Sequence, residues 1–459
     1  QTGWRETLLR LVPWVFVLGL LCLLSLVLQK GLTEQVPSAT EKTADAPHWS
    51  GQINLTVNGP GAKQYALSGS GTGQPAPTVK RNRRLDAAIT QGAVPAKKVL
   101  LAELALLGVF FLFGWRIDIN LFSLHNFYRN RLTRAYLGAS RQTTVGSASG
   151  KAKRRQPDPF TGFDTEDDIP VSELGPRPYP LFNTSLNLVG GDELAWQQRK
   201  AAAFCIAPEH CGYQFPAALG IGPQTGGYGP TRIFLSGDFP FGGGIRLGTA
   251  MAISGAAVNP NMGFHSSPAV SFLLTLFNAR LGRWVGNPAD PVEWRMSSPA
   301  FGVGYLFLEL FGLTSVHRAW FNLSDGGHFE NLGIYELVRR RLPYIIVVDA
   351  AQDASYEFDD LANAIRKIRA DFGIDIEIDL SGLRPRKEDG RQPAHVTVGR
   401  ILYDPVDQRP GVLVYIRPGL TGKEPADVLS YAQKNPPFPY QSTGDQFFLE
   451  ERSTAARNE

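Results

Sequence analysis

A glycine pair set between two apolar runs constrains this chain more than any other feature. The order is Trp320-Phe321-Asn322-Leu323-Ser324-Asp325, then Gly326-Gly327, then a stretch ending in Arg339-Arg340-Arg341, then Tyr344-Ile345-Ile346-Val347-Val348-Asp349. A short apolar run that stops at a glycine turn reads as a strand. Arginines in a last turn suit a helix C-terminus, where the helix dipole favours cations, so a helix is expected over residues 330–341. The uninterrupted apolar run after it reads as a parallel strand buried on both faces. Together these predict a β-turn-α-β unit in an α/β domain. Asp325 would close its first strand, at the sheet edge where open α/β folds gather ligand sites. Aspartate before glycine also makes ordinary turns, so the turn alone assigns no chemistry.

The rest of the C-terminal region fits such a domain. From residue 179 onward apolar runs alternate with helical patterns. Helices are expected over residues 191–203 and 358–372. Ile374-Asp375-Ile376-Glu377-Ile378 alternates as an edge strand does, and residues 395–403 and 411–417 read as a hairpin. Asn183, Asn187, Arg199 and Asp349 are expected in structural roles.

The N-terminal region has a different character. Residues 11–28 are uncharged, and a run of about 18 apolar residues reaches the threshold for a membrane span. A second apolar run covers residues 99–115, with Glu103 near its start. Two transmembrane helices are therefore expected. A signal peptide fits less well, because no small-residue cleavage site follows the first run. Residues 30–98 are rich in Gly, Ser, Thr, Pro and Asn and read as an exposed loop with short strands. Arg5 and Arg10 before the first run, and the arginines after Trp115, place both ends in the cytoplasm. Lys80, Arg81, Arg83 and Arg84 in the loop pull against that topology. Residues 121–137 form a basic amphipathic pattern, read either as lying on an anionic membrane surface or as packed on the domain. Residues 142–178 read as a polar linker. The expected organisation is a membrane region (1–116), a juxtamembrane helix and linker (117–178) and an α/β domain (179–459).

Composition narrows the function. A net charge of +4 on 459 residues points to neither disorder nor nucleic-acid binding. Three cysteines are too few for a disulfide framework and suit a reducing compartment. Cys205, His210 and Cys211 match no zinc spacing, so neither metal nor cofactor is expected. The chain begins with Gln and is read as a piece of a longer protein.

Ser324-Asp325-Gly326-Gly327 followed by Asn331-Leu332-Gly333 resembles the Asp-Gly-Gly/Ala block of the patatin-like phospholipase superfamily, relatives of cytosolic phospholipases A. Ala252-Ile253-Ser254-Gly255-Ala256-Ala257-Val258-Asn259-Pro260 resembles the segment preceding that aspartate. Residues 179–187, 248–254 and 441–448 are similar to large bacterial membrane-associated members, so the resemblance runs over residues 117–448 and covers the C-terminal portion of such proteins. It implies a three-layer α/β sandwich and a Ser-Asp dyad that cleaves fatty-acyl esters. Asp325 would be the general base, with Gly326 and Gly327 letting the backbone pass close to the nucleophile. It further implies a lipid substrate, contact with the bilayer, and an inner-membrane location with the α/β domain cytoplasmic.

The family's serine sits in a Gly-x-Ser-x-Gly elbow, and this sequence has no convincing one. Ser254 is the nearest candidate, but alanine replaces both glycines; the alternative is a helix start of small residues. Ser68 and Ser70 imitate an elbow from within the 30–98 loop. Gly242-Gly243-Gly244-Ile245-Arg246 resembles the oxyanion loop as a string and reads better as a plain glycine loop. The nucleophile is therefore expected from an upstream half or a partner chain. His328 and His265 are candidate pocket residues. The competing reading is a non-catalytic, membrane-bound lipid-binding or scaffolding module that kept the fold.

Overall fold

A computed structural model describes residues 53–55, 65–67, 96–138, 155–190, 199–214, 227–238, 243–263, 266–403 and 409–441. The first expected span, residues 11–28, lies outside them, as does most of the 30–98 loop. The chain divides into two units, Trp14–Phe111 and the remainder. The smaller holds an antiparallel pair, β1 (Ile53–Leu55) and β2 (Tyr65–Leu67). It also holds most of helix α1 (Ala96–Arg116), which covers the second expected span. Among the described residues no helix is long and apolar enough to cross a membrane, so the two-span expectation finds no support there. Large apolar side chains are nevertheless exposed along α1, from Leu100 to Trp115.

The larger unit is mixed α/β with two sheets. The first is six-stranded and antiparallel at every pairing. Its strands are β3 (Phe182–Asn187), β4 (Ala201–Ile206), β5 (His210–Tyr213), β6 (Gly227–Pro230), β7 (Arg283–Gly286) and β8 (Trp320–Asp325), in the order β6-β5-β4-β3-β8-β7. The second holds β9 (Tyr344–Val348), β10 (Asp375–Glu377), β11 (Val396–Leu402) and β12 (Gly411–Ile416), in the order β10-β11-β12-β9, with only β12 and β9 parallel. The helices are α2 (Leu124–Leu132), α3 (Leu247–Ser254), α4 (Pro268–Leu276), α5 (Gly302–Leu310), α6 (Ile334–Arg339), α7 (Asp359–Phe372) and α8 (Ala426–Lys434).

Two buried clusters fix the layers. Leu186, Phe204, Phe321 and Leu323 of the first sheet pack with Ala250 and Ile253 of α3. Ala201 of β4 joins Ile334 and Val338 of α6, Leu361 and Ile368 of α7, and Ile345, Val347, Leu413 and Tyr415 of the second sheet. The α6–α7 pair thus touches both sheets. The outer face of the second sheet is open: Tyr344, Ile346 and Val348 are 77%, 68% and 68% exposed.

Four expectations are corrected. The β-turn-α-β segment is present in order, but β8 and β9 belong to different sheets, so they form no single parallel unit. β9 is parallel to β12, yet it is an edge strand buried on one face only. The helix expected over residues 191–203 ends sooner: Arg199 is still helical, but Ala201, Ala202 and Ala203 belong to β4. Alanine-rich Ala201-Ala202-Ala203 favours helix locally, but pairing with β3 overrides a preference of under about 1 kcal/mol per residue. The helix expected from residue 330 starts at Ile334. Glu330 accepts backbone N–H bonds from Leu332, Gly333 and Tyr335, and Gly333 takes a left-handed φ of 73°, so the chain turns before the helix begins.

The expected juxtamembrane helix and linker pack on the domain where they are described. The Asn120 side chain pairs with both backbone groups of Trp284 at 2.9–3.0 Å, and His125 Nδ1 lies 2.7 Å from the Leu281 carbonyl. Asp168 accepts the Gly248 N–H at the start of α3 at 2.7 Å.

Candidate functional site

β8 delivers Asp325 at its last position, paired with Thr184 of β3. The carboxylate accepts the Gly327 N–H at 2.7 Å, closing a tight turn on itself. Of the glycines that follow, the first is hemmed in by backbone and the second by side-chain ends. A Cβ on Gly326 would lie 2.7 Å from the Asn183 carbonyl oxygen, and one on Gly327 would lie 2.7 Å from Asn331 Oδ1. The backbone that crowds Gly326 is that of β3. Burial raises the Asp325 carboxyl above the usual carboxylate range, and the Gly327 N–H opposes the shift. The side chain still reaches solvent in part.

Tyr128 of α2 faces the same space. Burial raises its phenol, and the Asp325 charge raises it further. A Cβ on Gly255 would lie 3.0 Å from its hydroxyl. Ser254 is adjacent but differently engaged. It is the last residue of α3 rather than a helix start, and its hydroxyl donates to the Asn183 carbonyl at 2.8 Å. Among the described residues no hydrogen bond joins Ser254 to Asp325. Ser254 also ends a helix, whereas an elbow serine follows a strand. Ser68, Ser70 and His265 lie outside the described residues.

His328 is engaged by Ser324 and Ala257. Its Nδ1 is 2.8 Å from Ser324 Oγ and its Nε2 is 3.3 Å from the Ala257 carbonyl. It opens onto a buried polar network on the opposite face of β8. Asn187 Nδ2 donates to Ser324 Oγ and Asn322 Oδ1, and Asn259 also donates to Asn322. Asn322 donates to Glu309, which takes Trp284 Nε1 at 3.0 Å and Arg280 at 2.7 Å. Glu309 and Arg280 are fully buried. Sequence reasoning missed Tyr128, Asn259, Glu309 and Arg280. One signal was available: Asn322 and Ser324 stand two apart in an otherwise apolar strand, on one face.

The glycine loop is closed by packing. Gly243 and Gly244 have left-handed φ angles, and a Cβ on Gly244 would strike the Thr231 carbonyl at 2.0 Å. Ser172 donates to the Gly243 carbonyl at 2.7 Å. Among the described residues no group of His, Cys, Asp and Glu is arranged to hold a metal ion. Cys205 and Cys211 are buried thiols pushed up to about 12 by burial. No protein-family model and no curated protein matches this sequence.

Proposed function

We propose that this chain supplies the general base, Asp325, of a membrane-associated lipid acyl hydrolase working through a Ser-Asp dyad. The observation that carries the reading is a strand-end carboxylate that burial makes more basic, held by its own turn yet still reached by solvent. In this chemistry the carboxylate takes the serine hydroxyl proton as Oγ bonds to the acyl carbon. The ester C–O bond then breaks and the proton passes to the departing alkoxide. Water repeats the sequence on the acyl-enzyme and releases the fatty acid. The serine comes from a further polypeptide segment, upstream or on a partner chain, because Ser254 is bonded to the Asn183 carbonyl instead of Asp325. That same observation favours a second reading for the chain by itself, a lipid-binding or scaffolding module without turnover.

A fluorophosphonate probe separates the readings, since it labels a serine only when a base has activated it. Membranes carrying the full protein should show a labelled serine and phospholipid hydrolysis. Both should fall at least about a hundredfold in Asp325→Asn, the scale of a lost general base. Labelling at Ser254 would refute the second-segment assignment. Hydrolysis unchanged in Asp325→Asn would refute the base. No labelling and no hydrolysis would leave the scaffolding reading standing.

A further inference from the structure

We propose that the turn after α1 and the outer side of α4 form a docking face that inserts into the hydrocarbon edge of an anionic bilayer. Leu121 and Phe122 of the turn are 58% and 68% exposed, and Val270, Leu273, Leu276 and Phe277 of α4 and its end are 41–74% exposed. These two segments are held as one surface. Asn278, directly after Phe277, donates to the Phe122 carbonyl at 2.7 Å, and His125 ties the start of α2 to Leu281. α4 carries no charged residue, and the helix packed beside it, α5, carries only the buried Glu309.

The surroundings select the occupant. Arg116 precedes the turn, and on α2 exposed Leu124 and Phe127 lead to exposed Arg131, whose guanidinium lies 5.4 Å over the Phe127 ring. The turn's carboxylate, Asp118, is occupied by the N–H groups of Asn120 and Leu121 and by the Ser298 hydroxyl. Apolar side chains on short surface helices, rimmed by arginines, match acyl chains beneath acidic headgroups. The inner side of α2 carries Tyr128 beside Asp325, so docking places the candidate site next to the lipid surface. The inference takes its lipid substrate from the proposed function, but its test needs no turnover.

The test places a nitroxide at Phe277→Cys or Phe122→Cys, with Lys387→Cys as the exposed control, in the full chain carrying Cys22→Ala. Vesicles are phosphatidylcholine with 30% phosphatidylglycerol, or phosphatidylcholine alone. In the anionic vesicles, probes at 277 and 122 should collide with oxygen at least about tenfold more, relative to a water-soluble nickel complex, than the probe at 387. The preference should weaken in neutral vesicles. Probes at 277 and 122 as open to nickel as the probe at 387 would overturn the proposal. Shielding from both reagents would also overturn it, because a protein would then cover the face. Asp325→Asn should dock like the parent, so a failed hydrolase reading is distinguishable from a failed docking face.

Discussion

Asp325 has its carboxyl group raised by burial, and a general base must be ionised to act. Activity should therefore rise with pH through an apparent pKa above that of an exposed aspartate, read from the acid limb of kcat/KM. An acid limb at the ordinary aspartate value would count against Asp325 as the base. The same shift bears on stability. A carboxyl raised in the folded state contributes stability below its unfolded pKa, and that contribution is lost as pH rises through the folded value. Asp325→Asn keeps an acceptor for the Gly327 N–H and removes the buried charge, so its urea midpoint at pH 7 should exceed the parent's. A second residue-scale prediction concerns Glu309. Glu309→Leu leaves Arg280 buried without its counter-charge and should destabilise by about 3–5 kcal/mol, with Arg280→Met in the same chain restoring much of it. Asp325 was legible in the sequence because its glycines follow it directly. Tyr128, Glu309 and Arg280 were not, because only folding brings them to β8 and local spacing records no such encounter.

At the scale of elements, legibility followed the range of the interactions. α7, β10 and the β11–β12 hairpin lie where helical spacing and strict alternation put them, and each is decided by its own residues or its next neighbour. The division of β8 and β9 between two sheets was not legible, because it depends on β3 inserting beside β8 from far upstream. The turn after β8 shows how closely that insertion is fitted. Gly326→Ala would press a Cβ against the Asn183 carbonyl, which belongs to β3 and cannot yield alone. The expected loss is about 1–3 kcal/mol in chemical denaturation, with Asp325 displaced and any hydrolysis reduced. An unchanged midpoint would mean that the turn and β3 are farther apart. β9 permits a sharper check. The Asp349 N–H donates to the Ile416 carbonyl, so by alternation Ile345 and Val347 also donate toward β12, while the Ile346 and Val348 N–H groups point to the open edge. Amide exchange at Ile346 and Val348 should be faster than at Ile345 and Val347 by about tenfold or more. Equal protection would show the edge to be paired.

Across the whole molecule the two sheets are unequal. The first has a buried cluster on each face, since β4 gives Phe204 to one and Ala201 to the other. The second has only its inner face covered. Its outer face presents Tyr344, Ile346 and Val348 of β9 and, on the far side of β12, Val396 and Val398 of β11, five apolar side chains on two strands, each at least 45% exposed. Apolar surface gathered in this way binds other apolar matter, whereas scattered exposed residues do not. Side-chain alternation makes the assignment testable one residue at a time. Ile346→Lys should change the unfolding free energy by no more than about 0.5 kcal/mol, because the new ammonium stays in water. Val347→Lys, one position along, would drive a charge into the α6–α7 core and should cost more than about 3 kcal/mol. Ile346→Lys combined with Val398→Lys should also lower the fluorescence of an apolar dye bound to the protein. If both positions tolerate lysine equally, β9 is not buried on one face, and the open outer face disappears with it. If Ile346→Lys is the damaging change, the register is shifted by one residue and the inner and outer faces exchange. Tolerance at 346 with loss at 347 is the only pattern that keeps the second sheet half covered, with α6 and α7 on one side and water on the other.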